Sequence, residues 1–287
     1  MKKKIPSTRL FRIEWICIKI FGQLLHRNVR YLPVVLPMYF RSVYNARKCH
    51  ILRASYCFAR YLDDILDGDI RIQGDPTKFI EHLMSKIRNT GGTSSDNSDY
   101  VILGKYVYQN IDQYTTNGVV PSRELDILIE AMLFDRERAD RRMLLSRAEL
   151  DNHHLQTFRS ALLVTLNITG AQYRPEEVET LARAQGSFYS LRDLEKDLSM
   201  FINNIPEGIL LQSKLDDRGY WNYPELIQSA FIIDWINEEY NQGLVQLTRL
   251  RKVLAENRDF HFRATIKPLY KGLSYLRQKL MRQHNIL

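Results

Sequence analysis

Two groups of aspartates carry the chemistry open to this chain: Asp63-Asp64-Ile65-Leu66-Asp67 and, about 130 residues further on, Asp193-Leu194-Glu195-Lys196-Asp197. In each group two aspartates stand four residues apart, so on a helix both carboxylates leave from one face, one turn apart. Two such pairs facing each other across a bundle would hold hard divalent cations against a diphosphate. Mg²⁺ favours this arrangement because it binds through a few carboxylates together with phosphate oxygens.

At 100° per residue, Tyr56, Arg60, Asp63 and Asp67 fall within about 60° of one another, with Arg53 and Asp64 on the flank. Phe58, Ala59, Leu62, Ile65 and Leu66 fill the remaining arc. The helix is therefore apolar around most of its circumference, which predicts burial, with the carboxylates facing a cavity. The aspartates also sit just before Gly68, at the negative end of the helix dipole, where each is disfavoured by roughly 0.3–1 kcal/mol. Arg60 offsets part of that cost, and a divalent cation would offset more. A solvated acidic helix end running into Asp69 and Asp75 is the plainer alternative.

On the second helix Leu191, Leu194, Leu198 and Phe201 form the core stripe. Asp193 and Asp197 flank it and share their face with Gly186 and Tyr189, whereas Arg192, Glu195 and Lys196 read mostly as solvated surface. Gly186 removes bulk where a ligand or another helix could approach. The charge-dense run from Asp135 to Arg142 is expected to be a solvated helix end, or else a source of arginines for a diphosphate. His153 and His154 point about 100° apart on a helix and cannot form the i,i+4 metal pair, so a surface or core role is expected.

The elements that position these groups are helical. Apolar spacings of three and four cover about 10–27, 46–67, 76–88, 99–115, 122–144, 147–169, 175–201, 222–254 and 260–284. Pro121-Ser122 and Pro175-Glu176-Glu177 read as helix starts, and Ser146 with Glu149 reads as a capping box. Residues 89–98 are loop-like, and no strand pattern, repeat or linker is evident. One all-α domain spanning residues 1–287 is expected, its first 27 residues forming a basic amphipathic segment.

Lys and Arg exceed Asp and Glu by 41 to 33, a net +8 that favours anionic partners. No RGG tract, zinc-finger spacing or RNP-like motif points to nucleic acid. Cys17, Cys49 and Cys57 form no CxxC pair, which fits a reducing cytoplasm. The apolar stretch from Leu10 to Leu25 is interrupted by Arg12, Glu14 and Lys19, so it predicts neither an export signal nor a membrane span. Packing of this helix on the domain is expected ahead of peripheral membrane contact.

The motifs resemble those of the squalene/phytoene synthases, head-to-head prenyl transferases with an all-α class I isoprenoid synthase bundle around a central cavity. Residues Tyr56 to Asp67 are similar to that family's Y-x-F-C-R-x-x-D-D-x-x-D, Ala131 to Asp135 to its G-M-x-x-D, and Arg192 to Asp197 to its R-D-x-x-x-D. Pro206 matches the proline of R-x-Y-x-P, and Arg263 and Tyr270 match a C-terminal R…Y helix. The resemblance implies that Asp63, Asp64, Asp67, Asp193 and Asp197 bind Mg²⁺ and that Arg60 and Arg192 hold diphosphate oxygens. It also implies that Tyr56 and Tyr270 line the reaction cavity, where an aromatic face stabilises an allylic cation.

The chain departs from the pattern at several places. Asn28 stands for a diphosphate-binding serine, Tyr189 for an asparagine, and Ile202-Asn203-Asn204 for R-x-Y. Phe158 and Arg159 occupy a region that is small-residued in the family. The implied activity is Mg²⁺-dependent coupling of two C15 or C20 prenyl diphosphates, with NADPH use left open. A terpene cyclase or prenyl diphosphate lyase using one substrate is the first alternative, and a non-catalytic lipid-binding or assembly protein the second. The expected location is the cytoplasm, with membrane association open.

Overall fold

A computed structural model describes residues 7–27, 38–39, 45–88, 98–213 and 223–284. Its helices are α1 (Ser7–Arg27), α2 (Ala46–Leu66), α3 (Pro76–Arg88), α4 (Asp99–Asn110), α5 (Pro121–Arg141), α6 (Arg147–Thr169), α7 (Pro175–Ser199), α8 (Glu207–Gln212), α9 (Tyr223–Leu226), α10 (Ala230–Glu256) and α11 (Phe260–Gln283). Among the described residues there is no strand, only an isolated bridge between Thr116 and Val119. The all-α expectation holds, and most boundaries fall within two or three residues of the periodic runs.

The differences have local causes. The run 99–115 tightens into a 3₁₀ turn at Ile111–Tyr114. The run 222–254 breaks before α10, and α8 is a six-residue helix too short for a periodic signal. Most of the loop-like stretch 89–98, and Asn28, lie outside the described residues.

Helix starts follow the sequence. Asn45 accepts a hydrogen bond from the Lys48 amide at 3.1 Å. Ser146 and Glu149 form the expected capping box, the Ser146 amide donating to Glu149 Oε2 at 2.8 Å. Pro175 opens α7 with Glu176 and Glu177 behind it.

The helices gather into two compact units, Met1–Leu125 with Asn167–Gly170, and Asp126–Leu166 with Ala171–Leu287. In the first, α1 packs on α2 and α4, and α3 packs on the same pair. Ile13, Phe58, Leu62, Ile65, Ile80, Leu103 and Val107 are wholly buried there. Gly104 makes this packing possible, since a Cβ at that position would lie 2.3 Å from Ile87 and 2.9 Å from Phe58. A buried polar group ties α1 down: Glu14 Oε2 accepts from Arg53 Nη2 at 2.9 Å and lies 3.2 Å from His50 Nε2, while His50 Nδ1 meets the Tyr106 hydroxyl at 2.8 Å.

In the second unit α7 packs on α10 and α11, and α10 also meets α8. Phe188 fills the notch left by Gly243, where a Cβ would come within 2.8 Å of its ring. None of the three cysteines is disulfide-bonded. Among the described residues, no helix is long and apolar enough to cross a membrane.

Candidate diphosphate-binding site

The first aspartate group sits where the helix ends. The Asp67 amide donates to the Asp63 carbonyl at 2.9 Å, and Gly68 then turns left-handed with φ +78°. From Tyr56 onwards, α2 is buried around its circumference except for Tyr56, Ala59, Arg60 and Asp63; Asp67 at its cap is also partly exposed. That is the narrow stripe the spacing predicts, with Ala59 added.

Asp64, on the flank, is 1% exposed and is clamped by two arginines. Arg60 Nη2 lies 2.5 Å from its Oδ1, and Arg27 Nη2 pairs with its Oδ2. Arg60 also donates to Asp63 at 2.6 Å, and Arg27 meets Asp69 at 3.0 Å. Two guanidiniums thus hold three carboxylates at the negative end of a helix, which lowers the repulsion that end would otherwise carry. Arg27, at the C-terminus of α1, joins the group although no spacing links it to α2, and Asp69, which the sequence places only in the solvated stretch after the helix, pairs with it. Tyr56 stacks on Phe21 of α1 with ring centroids 5.8 Å apart.

The second group lies in the other unit. Arg192 grips Asp193 with both donors, Nε at 2.8 Å and Nη2 at 2.5 Å. The same guanidinium lies 4.1 Å above the Tyr189 ring, which meets Phe158 edge to face at 5.4 Å. Two departures from the family pattern, Tyr189 and Phe158, therefore pack against each other beside Asp193. Gly186 admits a neighbouring helix, α6, since a Cβ there would come 3.1 Å from His154.

Asp197 is held differently. After α7 the chain reverses at Phe201, a non-glycine residue with φ +62°, and the Ile202 amide donates to the Asp197 carbonyl at 2.9 Å. This reversal is a Schellman cap made without glycine. It brings Asn204 back over the aspartate face, where its Nδ2 donates to Asp197 Oδ2 at 2.8 Å. Asn204 Oδ1 accepts in turn from Arg138 Nη2 at 3.1 Å.

Arg138 is fully buried. It also donates to the Asn203 carbonyl at 2.5 Å and to Asp135 at 2.8 Å. Asp135 is further met by His153 Nε2 at 2.9 Å. Burial alone would raise the Asp135 pKa, but the His153 hydrogen bond and the Arg138 charge outweigh it and hold the pKa below its usual value. Burial pushes His154 the other way for a base, down to about 4. The charged run thus divides. Arg136 with Asp140 and Arg141 with Glu137 form i,i+4 pairs on the outer side, each at 2.8 Å, while Asp135 and Arg138 turn inward.

Tyr270 is partly exposed on α11, and Arg263 on the same helix is exposed. Among the described residues, no three His, Cys, Asp or Glu side chains are gathered as a ready metal centre.

No protein-family model and no curated protein matches the chain in sequence. A solved structure does match: the squalene synthase HpnC from Alicyclobacillus acidocaldarius, with a TM-score of 0.69 and 14% identity over 98% of this chain and 97% of that one. The chain has the all-α isoprenoid synthase fold. At that identity the likeness to the squalene synthase is one of fold, and the roles of individual residues rest on the geometry above.

Proposed function

We propose that this protein is a Mg²⁺-dependent isoprenoid synthase that ionises an allylic prenyl diphosphate and couples it head to head with a second one. The observation that carries the reading is α2. From Tyr56 to its cap, an otherwise buried helix leaves Tyr56, Ala59, Arg60 and Asp63 partly exposed, and holds Asp64 between two arginines. Carboxylates at the negative end of a helix are disfavoured, and a cation-bound diphosphate would offset that cost beyond what Arg27 and Arg60 already do.

The donor set fits Mg²⁺ in company with a diphosphate. Asp63, Asp67 and Asp197 offer carboxylate oxygens, and Mg²⁺ commonly needs one or two of these plus phosphate oxygens and water. Asp64, buried with both oxygens on Arg27 and Arg60, and Asp193, gripped by Arg192, would join only if those arginines turned to the diphosphate. When bound, Mg²⁺ would neutralise the leaving diphosphate.

The chain's own residues do the rest. Arg60 and Arg192, which neutralise Asp63, Asp64 and Asp193, would share their donors with phosphate oxygens, for which a guanidinium has matching geometry. Tyr270, and the face of Tyr56 away from Phe21, would stabilise an allylic cation.

A second reading, cyclisation or lysis of a single prenyl diphosphate, is favoured by one specific contact. Phe158 and Tyr189 form an aromatic pair at positions where the resemblance puts a small residue and an asparagine, and such bulk would leave less room for a second prenyl chain. Product mass decides between the two. After incubation with Mg²⁺ and farnesyl or geranylgeranyl diphosphate, a hydrocarbon with twice the substrate's carbons supports coupling, whereas a same-carbon product supports the second reading. No turnover would sink both.

A further inference from the structure

Helix α1 has two apolar faces, and only one of them is packed among the described residues. Ile13, Ile16, Cys17, Ile20, Phe21 and Leu24 are buried against the first unit. On the opposite side Phe11, Trp15 and Ile18 are 75%, 52% and 46% exposed. At i, i+4 and i+7 they lie within about 60° of one another and form a continuous outward stripe. Gly22 extends it, with no atom of the described residues within 4 Å of where its Cβ would be. The direction of the stripe is fixed, because Glu14 is turned inward to Arg53 and His50.

Charge says what covers it. The first 27 residues contain seven Lys or Arg and one acid, Glu14, and so carry six of the chain's eight net positive charges. Arg12 and Lys19, both about half exposed, line one flank of the stripe and share the Asp99 carboxylate beneath them at 3.5 and 3.3 Å. Lys19 lies 5.9 Å from the centroid of the Trp15 ring. Tryptophan and phenylalanine beside cations suit the boundary between headgroups and acyl chains. A second copy of so basic a segment would repel the first across a two-fold contact.

We propose that the outer face of α1 binds the surface of an anionic lipid bilayer. Phe11, Trp15 and Ile18 enter the headgroup region, and Arg12 and Lys19 meet lipid phosphates. The helix lies on the membrane, in keeping with the absence of any spanning helix among the described residues. The proposal is independent of the catalytic reading.

The test is co-sedimentation of the full chain with phosphatidylcholine vesicles, with and without roughly one phosphatidylglycerol in three lipids. The wild type pellets with the anionic vesicles, and less so as salt rises from about 0.1 M to about 0.5 M. A Phe11→Ser/Trp15→Ser double variant loses about tenfold or more in partitioning, because it removes most of the inserted apolar area. An Arg12→Glu/Lys19→Glu variant also loses binding, whereas Phe260→Ser, at an exposed phenylalanine of α11, behaves as wild type. Thermal unfolding of each variant confirms the fold.

Absence of pelleting with anionic vesicles would overturn the proposal, as would undiminished binding by the folded double variant. So would a concentration-dependent dimer of the wild type that the double variant abolishes, because the occupant would then be a second copy.

Discussion

Asn204 donates to Asp197 at 2.8 Å while accepting from the fully buried Arg138 at 3.1 Å, so one amide fixes a carboxylate of the second aspartate group. Three features of the chain meet in this link: the left-handed turn at Phe201, the inward half of the charged run, and the segment that replaces R-x-Y. Arg142, itself left-handed at φ +52°, braces the turn with its guanidinium 4.7 Å from the Phe201 ring.

The link makes Asn204 a positioning residue. Asn204→Leu leaves Arg138 short of one acceptor and Asp197 short of one donor, and should cost about 1–3 kcal/mol of stability in urea unfolding. Diphosphate release by the same variant should fall through kcat more than KM, with partial recovery in Asn204→Gln. An unchanged kcat would remove Asn204 from the site.

Arg138 is the sharper case for stability. Arg138→Ala empties a buried volume and takes a guanidinium from Asp135, which is a third exposed and keeps His153 beside it, at an expected cost of about 3–5 kcal/mol. A loss below about 1 kcal/mol by denaturant titration would mean that the buried pair is not a structural anchor.

Arg27 and Arg60 share Asp64, and each should be felt when removed. Arg60→Ala is expected to lower stability by about 2–4 kcal/mol, since a nearly inaccessible carboxylate loses one of its two cations. Mg²⁺ with inorganic diphosphate should raise the Tm of the wild type, because a ligand that binds only the folded state stabilises it. In an Asp63→Asn/Asp67→Asn variant that rise should shrink to near zero.

The pH dependence follows from His154 and Asp135. The folded pKa of His154, about 4, lies below the ordinary value of 6.5, so the unfolded chain takes up a proton that the folded chain refuses. Stability from this residue is full above about pH 6.5 and is lost as pH falls towards 4, by at most about 3 kcal/mol. Asp135 is depressed below its ordinary 3.8, so its contribution persists at neutral pH and disappears only at more acid pH. Chemical denaturation between pH 7 and 4.5 should show the first loss, and His154→Gln should reduce it, leaving the share of His50 and His284, whose pKa values burial also lowers. A wild-type stability that is level over that range would contradict the account.

Phe158→Ala tests the aromatic pair. Removing one ring of the Phe158–Tyr189 pair should shift products towards the doubled-carbon species if that pair restricts the reaction to one substrate. An identical product distribution would show that the pair does not control the outcome.

The helices, their caps and the accessible stripe of α2 were legible in the sequence, because periodicity and capping are local physics. So was the grouping of Arg60 with Asp63 and Asp64, which is an i,i+3 and i,i+4 relationship. Arg27 was not legible, since its contact with Asp64 spans 37 residues and no pattern announces it. Arg138 was hidden for another reason: a run of alternating charges reads as a solvated face, and only packing shows that one guanidinium in it is buried. The turn at Phe201 likewise lacks the glycine that would have marked it, so the approach of Asn204 to Asp197 could not be foreseen.

The most direct measurement is diphosphate release from farnesyl or geranylgeranyl diphosphate by the purified chain, with Mg²⁺ or with excess chelator. The account predicts release that requires Mg²⁺ and falls about a hundredfold or more in both Asp63→Asn and Asp193→Asn, since each removes charge from the departing group. Release that is absent, or equal in the wild type and both variants, would contradict it.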